Sequence, residues 1–184
     1  MSTSNFQWRH DGLRWSEKHT KYNWRRYAYS LGGSRAVDSA PLSKPKNTTI
    51  LSSIQLDGTL RYTTFSGGTT VERFKRYLET DLLPHLNGNS VLIMDNMKSH
   101  HAKAVKNLLD SSGVRYIYLP PYSPDLNPIE KLWSKVKSFL RKFKARTLDA
   151  LLNAIQCAFQ TVSPSDCSGW FHSCGYSPYF WKLR

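Results

Sequence analysis

The chain predicts an α/β protein, a mixed sheet flanked by helices, and three observations carry that prediction. From Thr48 onward, strand-like and helix-like segments follow in the order strand, strand, helix, strand, helix, strand, helix, helix. Strands separated by single helices imply parallel pairing. Asp57-Gly58, between two runs rich in apolar and β-branched residues, is a hairpin signal and adds one antiparallel pair. Residues 90–94 (SVLIM) are continuously apolar, as expected of a strand buried on both faces.

The elements follow in order. Residues 1–30 are polar, rich in Trp, Arg and Lys, and show no period. Residues 48–56 (TTILSSIQL) read as the first clear strand and 60–65 as its return. Thr69 or Thr70 can cap a helix whose apolar face is Val71, Phe74, Tyr77, Leu78 and Leu82, ended by Pro84 and Asn87-Gly88. A helix over 101–110 follows the 90–94 strand, with Ala104, Val105, Leu108 and Leu109 inward and Gly113 as its C-cap. Residues 114–119 (VRYIYL) alternate like a strand, and the prolines from Pro120 to Pro124 make a rigid connector. Asn127 as N-cap and Pro128 at the first position open a helix to about Phe143. Thr147 caps a last helix over 148–159, and residues 163–184 read as an aromatic, irregular tail.

Composition bounds the function. The 184 residues suit one domain, and 40% hydrophobic content supports a packed core. Lys and Arg number 26 against 13 acidic residues, a formal charge of +13. Such a balance favours a polyanionic partner, most simply nucleic acid. Three cysteines (Cys157, Cys167 and Cys174) without a CxxC pair argue against a disulfide framework or a zinc site. No apolar run approaches a membrane span, and the N-terminus carries no apolar signal-peptide segment, so a cytoplasmic protein without a membrane partner is expected.

Two carboxylates stand where chemistry is expected. Asp95 directly follows the buried strand, and the C-terminal ends of such strands open onto the crevice that binds ligands. Glu130 lies in the first turn of the helix opened by Asn127, where it also complements the helix dipole. A strand end and a helix start can converge at one sheet edge, and two carboxylates there can hold hard divalent cations. A pair of such ions about 3.5–4 Å apart can activate water and stabilise the leaving oxygen of a phosphodiester. Lysines and arginines at 131, 135, 137, 141, 142, 144 and 146 crowd the Glu130 helix and its exit. They read either as a solvated face or as a phosphate track. His100 and His101 are adjacent and would point about 100° apart in a helix, so they do not form a two-imidazole site for one ion.

Val91-Leu92-Ile93-Met94-Asp95-Asn96, then His100, then residues 118–130 (YLPPYSPDLNPIE) resemble the DDE domain of mariner-like insertion-sequence transposases. The 34 residues between Asp95 and Glu130 match that family's spacing of its second and third acidic residues. The resemblance extends upstream to about Arg25 and downstream through Trp133, Thr147 and the Gly169-to-Tyr176 ending. It implies a ribonuclease-H-like fold, with Asp95 and Glu130 as catalytic, metal-holding residues and Mg2+ or Mn2+ as cofactor in a two-metal site. It implies metal-dependent DNA strand cleavage and transfer at element ends. Asn96, His100 and Asn127 match as supporting residues. Beside a phosphoryl-transfer site the basic residues favour the phosphate track, with Lys131, Lys135, Lys137, Arg141 and Lys142 as DNA-binding ones. DNA, a second copy of the chain, and a separately read upstream helix-turn-helix product are the implied partners, with a bacterial, nucleoid-associated location.

The likeness fails upstream of Arg25. The family's first catalytic Asp belongs to an apolar strand ending in Asp-Glu, and residues 1–24 hold neither. Asp11 comes too early and Glu17 too late for the match, so Asp11 is the nearest candidate for a metal ligand there. The expectation is therefore an atypical, disordered segment over 1–24, a catalytic domain over 25–162 and a tail over 163–184. The first core strand would be missing or replaced, and the chain weak or inactive as an enzyme. The alternative reading is a non-catalytic DNA-binding remnant.

Overall fold

Five strands form one sheet among the described residues: β1 (Phe6–Trp15), β2 (Thr48–Gln55), β3 (Leu60–Ser66), β4 (Val91–Met94) and β5 (Arg115–Tyr118). The computed structural model describes residues 6–15 by their backbone, and residues 48–143, 145 and 147–176 in full. Expectations for residues 16–47, including Glu17, and for Lys144, Arg146 and 177–184 lie outside the described residues, as does the Asp11 side chain. The strand order is β3-β2-β1-β4-β5. β2 pairs antiparallel with both β3 and β1, while β4 pairs parallel with both β1 and β5.

The centre of the sheet holds a replacement, one of the two outcomes the sequence predicts: the polar, aperiodic stretch Phe6–Trp15 occupies the middle position. The reason lies in the backbone. β2 and β4 each present a row of N–H and C=O groups toward that position, and any extended chain can pair with them whatever its side chains. The β1–β2 register shifts between His10 and Leu13, a bulge that contains Asp11-Gly12.

Helices cover both faces. On one side α1 (Val71–Tyr77) and α2 (Lys103–Ser112) pack Phe74, Tyr77, Val105 and Leu109 against Leu51, Leu92 and Met94. On the other, α3 (Ile129–Phe143), α4 (Leu148–Gln160) and α5 (Pro164–Ser173) pack Trp133, Val136, Ile155 and Phe171 against Ile50, Ile54, Val91 and Ile93. Alternate residues of β4 therefore feed opposite cores, and all eight residues of β2 are buried. That two-sided burial is why neither strand shows a polar and apolar alternation in sequence.

Thr70 caps α1 by accepting from the Arg73 N–H at 3.3 Å, and the helix runs on as a π turn (Leu78–Leu82) and a 3-10 turn (Leu83–His85) around Pro84. α2 begins at Lys103 rather than at residue 101, because His100 closes a turn on the Met97 carbonyl at 3.0 Å first. Its buried stripe is Val105 and Leu109, with Leu108 half-buried; Ala104, expected inward, lies off that stripe and is exposed. Gly113 ends it at φ +67°, the left-handed C-cap a glycine supplies at no steric cost.

The tail expected to be irregular from residue 163 contains α5. Ser163 and Asp166 form a reciprocal capping box, and Pro164 sits where its missing N–H costs nothing. Phe171 and Cys167 are fully buried. Burial of those two side chains, rather than helix propensity, explains an element that the aromatic composition obscured. The β2–β3 hairpin docks on the same helix: at Gly58, φ +91°, an added Cβ would lie 2.7 Å from Pro164 Cα, so only glycine fits both the turn and the contact.

Candidate active site

Parallel pairing aligns the C-terminal ends of β1 and β4. Arg9 pairs with Met94, which puts His10 level with Asp95 and Asp11 one residue beyond, in the bulge. The β4–β5 ladder continues past the strands, since the Leu119 N–H donates to the Met94 carbonyl at 2.8 Å. The connector after β5 is thereby tied beside Asp95. It turns through a 3-10 segment (Pro124–Leu126) and delivers Asn127 and Glu130 to the start of α3.

Asp95 and Glu130 line one cavity of about 460 Å³, together with Asn96, Met97, Asn127 and the connector from Leu119 to Pro124. The two carboxylates that local sequence placed on different elements are brought to one cleft. Both are half-buried, so each keeps access to water or to an ion. No cluster of three or more His, Cys, Asp or Glu side chains occurs among the described residues.

Asp95 is held from behind. The His100 imidazole is fully buried, and its Nδ1 lies 2.8 Å from Asp95 Oδ1 and 3.0 Å from the Asp95 main-chain oxygen. A carbonyl oxygen can only accept, so in the bond to the main chain Nδ1 is the nitrogen that carries hydrogen. The ring sits against Phe74 at 4.6 Å, and the Tyr118 hydroxyl donates to the His100 carbonyl at 2.9 Å. His101 serves other partners: its Nε2 meets Asn96 Oδ1, and its ring lies tilted against Tyr118 at 4.1 Å. The adjacent histidines thus divide between two neighbours, and Asn96, exposed, is tied to His101 rather than to Asp95.

Asn127 is buried to 2% exposure. Its main chain makes the helix-opening bonds, accepting from Glu130 N–H at 3.1 Å and donating to the Pro124 carbonyl at 3.1 Å. Its Oδ1 makes no hydrogen bond, so the side chain does not cap the helix as the sequence suggested. A buried amide oxygen without a donor is costly, by about 1–3 kcal/mol, unless something in the cleft uses it.

The basic residues of α3 separate into two groups. Lys131, Lys137, Arg141 and Lys142 are exposed. Lys135 is engaged elsewhere: its Nζ donates to Asp166 Oδ2 at 2.6 Å and to the Thr161 carbonyl at 2.9 Å, pinning α5 to α3. The same hydrogen bond, with that from the Ser163 N–H, lowers the Asp166 carboxyl to a pKa of about 2.

Sequence reasoning missed three features of this region. Tyr176, just after α5, donates its hydroxyl to the Leu126 carbonyl at 3.1 Å, so the C-terminal helix steadies the turn before Glu130. Lys98 and Met97 stand exposed on the loop after Asp95. Tyr122 is fully exposed on the rim, at φ +58°, a left-handed conformation costing a non-glycine residue about 1–3 kcal/mol. Its signal was present in Pro-Pro-Tyr-Ser-Pro, read only as a stiff linker.

Residues 16–152 match the model of the DDE superfamily endonuclease family. The chain is similar to the Tc1 transposase of the transposable element of Caenorhabditis elegans, 28% identical over 97 residues, which cover 50% of this chain and 36% of that protein. Among solved structures, the Mos1 strand transfer complex superposes over 98% of this chain and 53% of the Mos1 chain, with a TM-score of 0.74 and 18% identity. The Mos1 transposase catalytic domain with Raltegravir and Mn superposes over 70% of each chain, with a TM-score of 0.63 and 20% identity. The fold is therefore that of the Mos1 catalytic domain, a ribonuclease-H-like mixed sheet. The chain spans about half the length of the Mos1 chain in the strand transfer complex and about a third of the Tc1 protein.

Proposed function

Since this chain belongs to the DDE superfamily endonuclease family, we propose that it is the catalytic domain of a DNA transposase, cleaving and transferring DNA strands at element ends. The observation that carries the proposal is the meeting of Asp95 and Glu130 in one cleft, from a strand end and a helix start. Asp95 and Glu130 would hold Mg2+ or Mn2+, and Asn127 Oδ1 supplies a third hard oxygen in the same cavity. The donor set fits such an ion: it is oxygen-only, with His100 turned to the back of Asp95. When bound, a divalent ion would supply Lewis-acid stabilisation of the phosphate and an activated water. The chain's own part is to orient Asp95 through His100 and to aim Glu130 from the first turn of α3. The exposed cations Lys98, Lys131, Lys137, Arg141 and Lys142 would steer the DNA backbone toward the cleft.

The partners proposed are DNA, a second copy of this chain and a separately read helix-turn-helix product, with a bacterial nucleoid as the working place. No helix among the described residues is long and apolar enough to cross a membrane. One observation favours a second reading, a DNA-binding module without chemistry: the residue level with Asp95 on β1 is His10, not an acid. Nicking of supercoiled plasmid in Mn2+ separates the two. Loss of nicking in both Asp95→Asn and Glu130→Gln supports the enzyme. Salt-dependent DNA binding without any nicking supports the module, and nicking that survives both substitutions rejects this cleft.

A further inference from the structure

We infer that Tyr122 is a stacking platform for an unpaired nucleobase at the mouth of the Asp95–Glu130 cleft. The inference rests on the reading of that cleft as a DNA-cleavage site and goes beyond it, because it assigns contact with a base rather than with the backbone.

Four observations converge on this residue. Tyr122 is the most exposed large aromatic side chain among the described residues and makes no ring contact there. It lines the same cavity as the two carboxylates. It adopts φ +58°, alone among the non-glycine residues described. Its neighbours Pro120, Pro121 and Pro124 restrict the connector that holds it.

Each of these has a physical consequence. A single exposed aromatic is ordinary, but one kept in a disfavoured backbone conformation by a proline-stiffened loop is not. Strain of this kind clusters where a side chain must be presented in one direction. A tyrosine also offers a large rigid face at little conformational cost on binding. Met97, exposed on the facing loop after Asp95, gives the rim a second apolar side chain.

Among the components of DNA, only a base presents a flat apolar face. In a duplex that face is hidden by its neighbours, whereas a strand that has been nicked or opened exposes it. Stacking on an aromatic ring tolerates any base, since every base has a π-face. Lys98 and Lys131, both exposed and each next in sequence to a residue that lines the cleft, would hold the phosphates while the ring takes the base. The chemistry that fits is therefore a single-stranded segment of DNA, held by charge along its backbone and by stacking at one nucleotide.

The test uses the full chain and two probes of equal length and charge, a short oligothymidylate and a strand of abasic residues. Fluorescence anisotropy gives the affinity of each. Tyr122→Asn removes the ring and tolerates the left-handed backbone, whereas Tyr122→Trp keeps a stacking face. The expected result is a roughly tenfold loss of oligothymidylate affinity in Tyr122→Asn, none on the abasic strand, and near-wild-type binding in Tyr122→Trp. Equal loss on both strands, or no loss on either, overturns the stacking role while leaving the DNA reading intact. Failure of the wild-type chain to bind the abasic strand at low salt overturns the DNA reading, and the inference with it.

Discussion

His100 is tied to one residue twice, with Nδ1 in a 3.0 Å hydrogen bond to the Asp95 carbonyl and 2.8 Å from Asp95 Oδ1, from a position with no exposure to solvent. The loop after β4 is thus closed on itself, and the carboxylate is fixed relative to the strand that carries it. Outer groups of this kind typically set metal affinity within a factor of ten to a hundred. His100→Leu, which fills the space beside Phe74 without a donor, is expected to weaken Mn2+ binding by roughly tenfold or more. His100→Asn, whose Nδ2 can reach where Nδ1 did, should retain most of it. Calorimetric titration with Mn2+ decides this, with thermal melts checking that both variants fold. Equal affinity in all three proteins would remove His100 from the site.

The exposed cations of α3 predict a salt dependence. Changing Lys131, Lys137 and Lys142 to alanine should weaken binding to every duplex tested. The slope of log affinity against log salt should fall by up to about 0.9 for each residue that meets a phosphate. Lys135→Ala should leave the slope unchanged, because its ammonium already serves Asp166 and Thr161. A larger slope change from Lys135 than from the other three would reverse this division.

Asp166 predicts a pH dependence. Hydrogen bonds from Lys135 and the Ser163 N–H hold its folded pKa at about 2, below its ordinary value of 3.8. A depressed carboxyl stabilises the fold above its unfolded pKa, and that stability is lost as pH falls through the folded one. Stability should therefore drop between about pH 4 and pH 2, by about 1 kcal/mol once solvent screening at this partly exposed pair is allowed for. Denaturation of Asp166→Asn across that range should show the corresponding step removed.

Tyr176 tests whether the C-terminal helix serves the site. Tyr176→Phe removes the donor to the Leu126 carbonyl and is expected to cost about 1 kcal/mol of stability. It should also weaken Mn2+ binding, because the turn it holds leads into Asn127 and Glu130. A stability loss with unchanged metal affinity would confine Tyr176 to a structural role.

Asp11 bears on activity. Its backbone lies one residue beyond the position level with Asp95, in a bulge of β1. Two carboxylates without a third leave metal charge poorly neutralised, and several kcal/mol of lost transition-state stabilisation amount to a thousandfold or more in rate. Nicking in Mn2+ is therefore expected to be weak and unchanged in Asp11→Asn. Robust cleavage abolished by that substitution would make Asp11 the third ligand.

Much of the fold was legible because local physics and tertiary structure agree from residue 48 on. Asp57-Gly58 sits at the hairpin, Thr70 and Thr147 accept the capping bonds expected of them, and Gly113 takes the left-handed C-cap. The stripe Ile129, Leu132, Trp133, Val136 and Leu140 is buried as its helical spacing required. Asp95 and Glu130 were legible for a related reason: each stands next to an element whose end is marked in the sequence.

What the sequence by itself determined is therefore the set of elements whose apolar period and caps are local, together with the two acids at their ends. Tertiary structure alone decided three other things. It made a central strand of Phe6–Trp15, because vacant backbone donors and acceptors on β2 and β4 recruit an extended chain without regard to its side chains. It made a helix of Pro164–Ser173, because the core buries Phe171 and Cys167 and Lys135 pins the first turn. It also chose which of the basic and polar residues face the cleft, sending Lys135 to Asp166 and His100 to the back of Asp95. Hydrogen-bond partners distant in sequence leave no periodic trace along the chain, and only the packed fold brings them within reach.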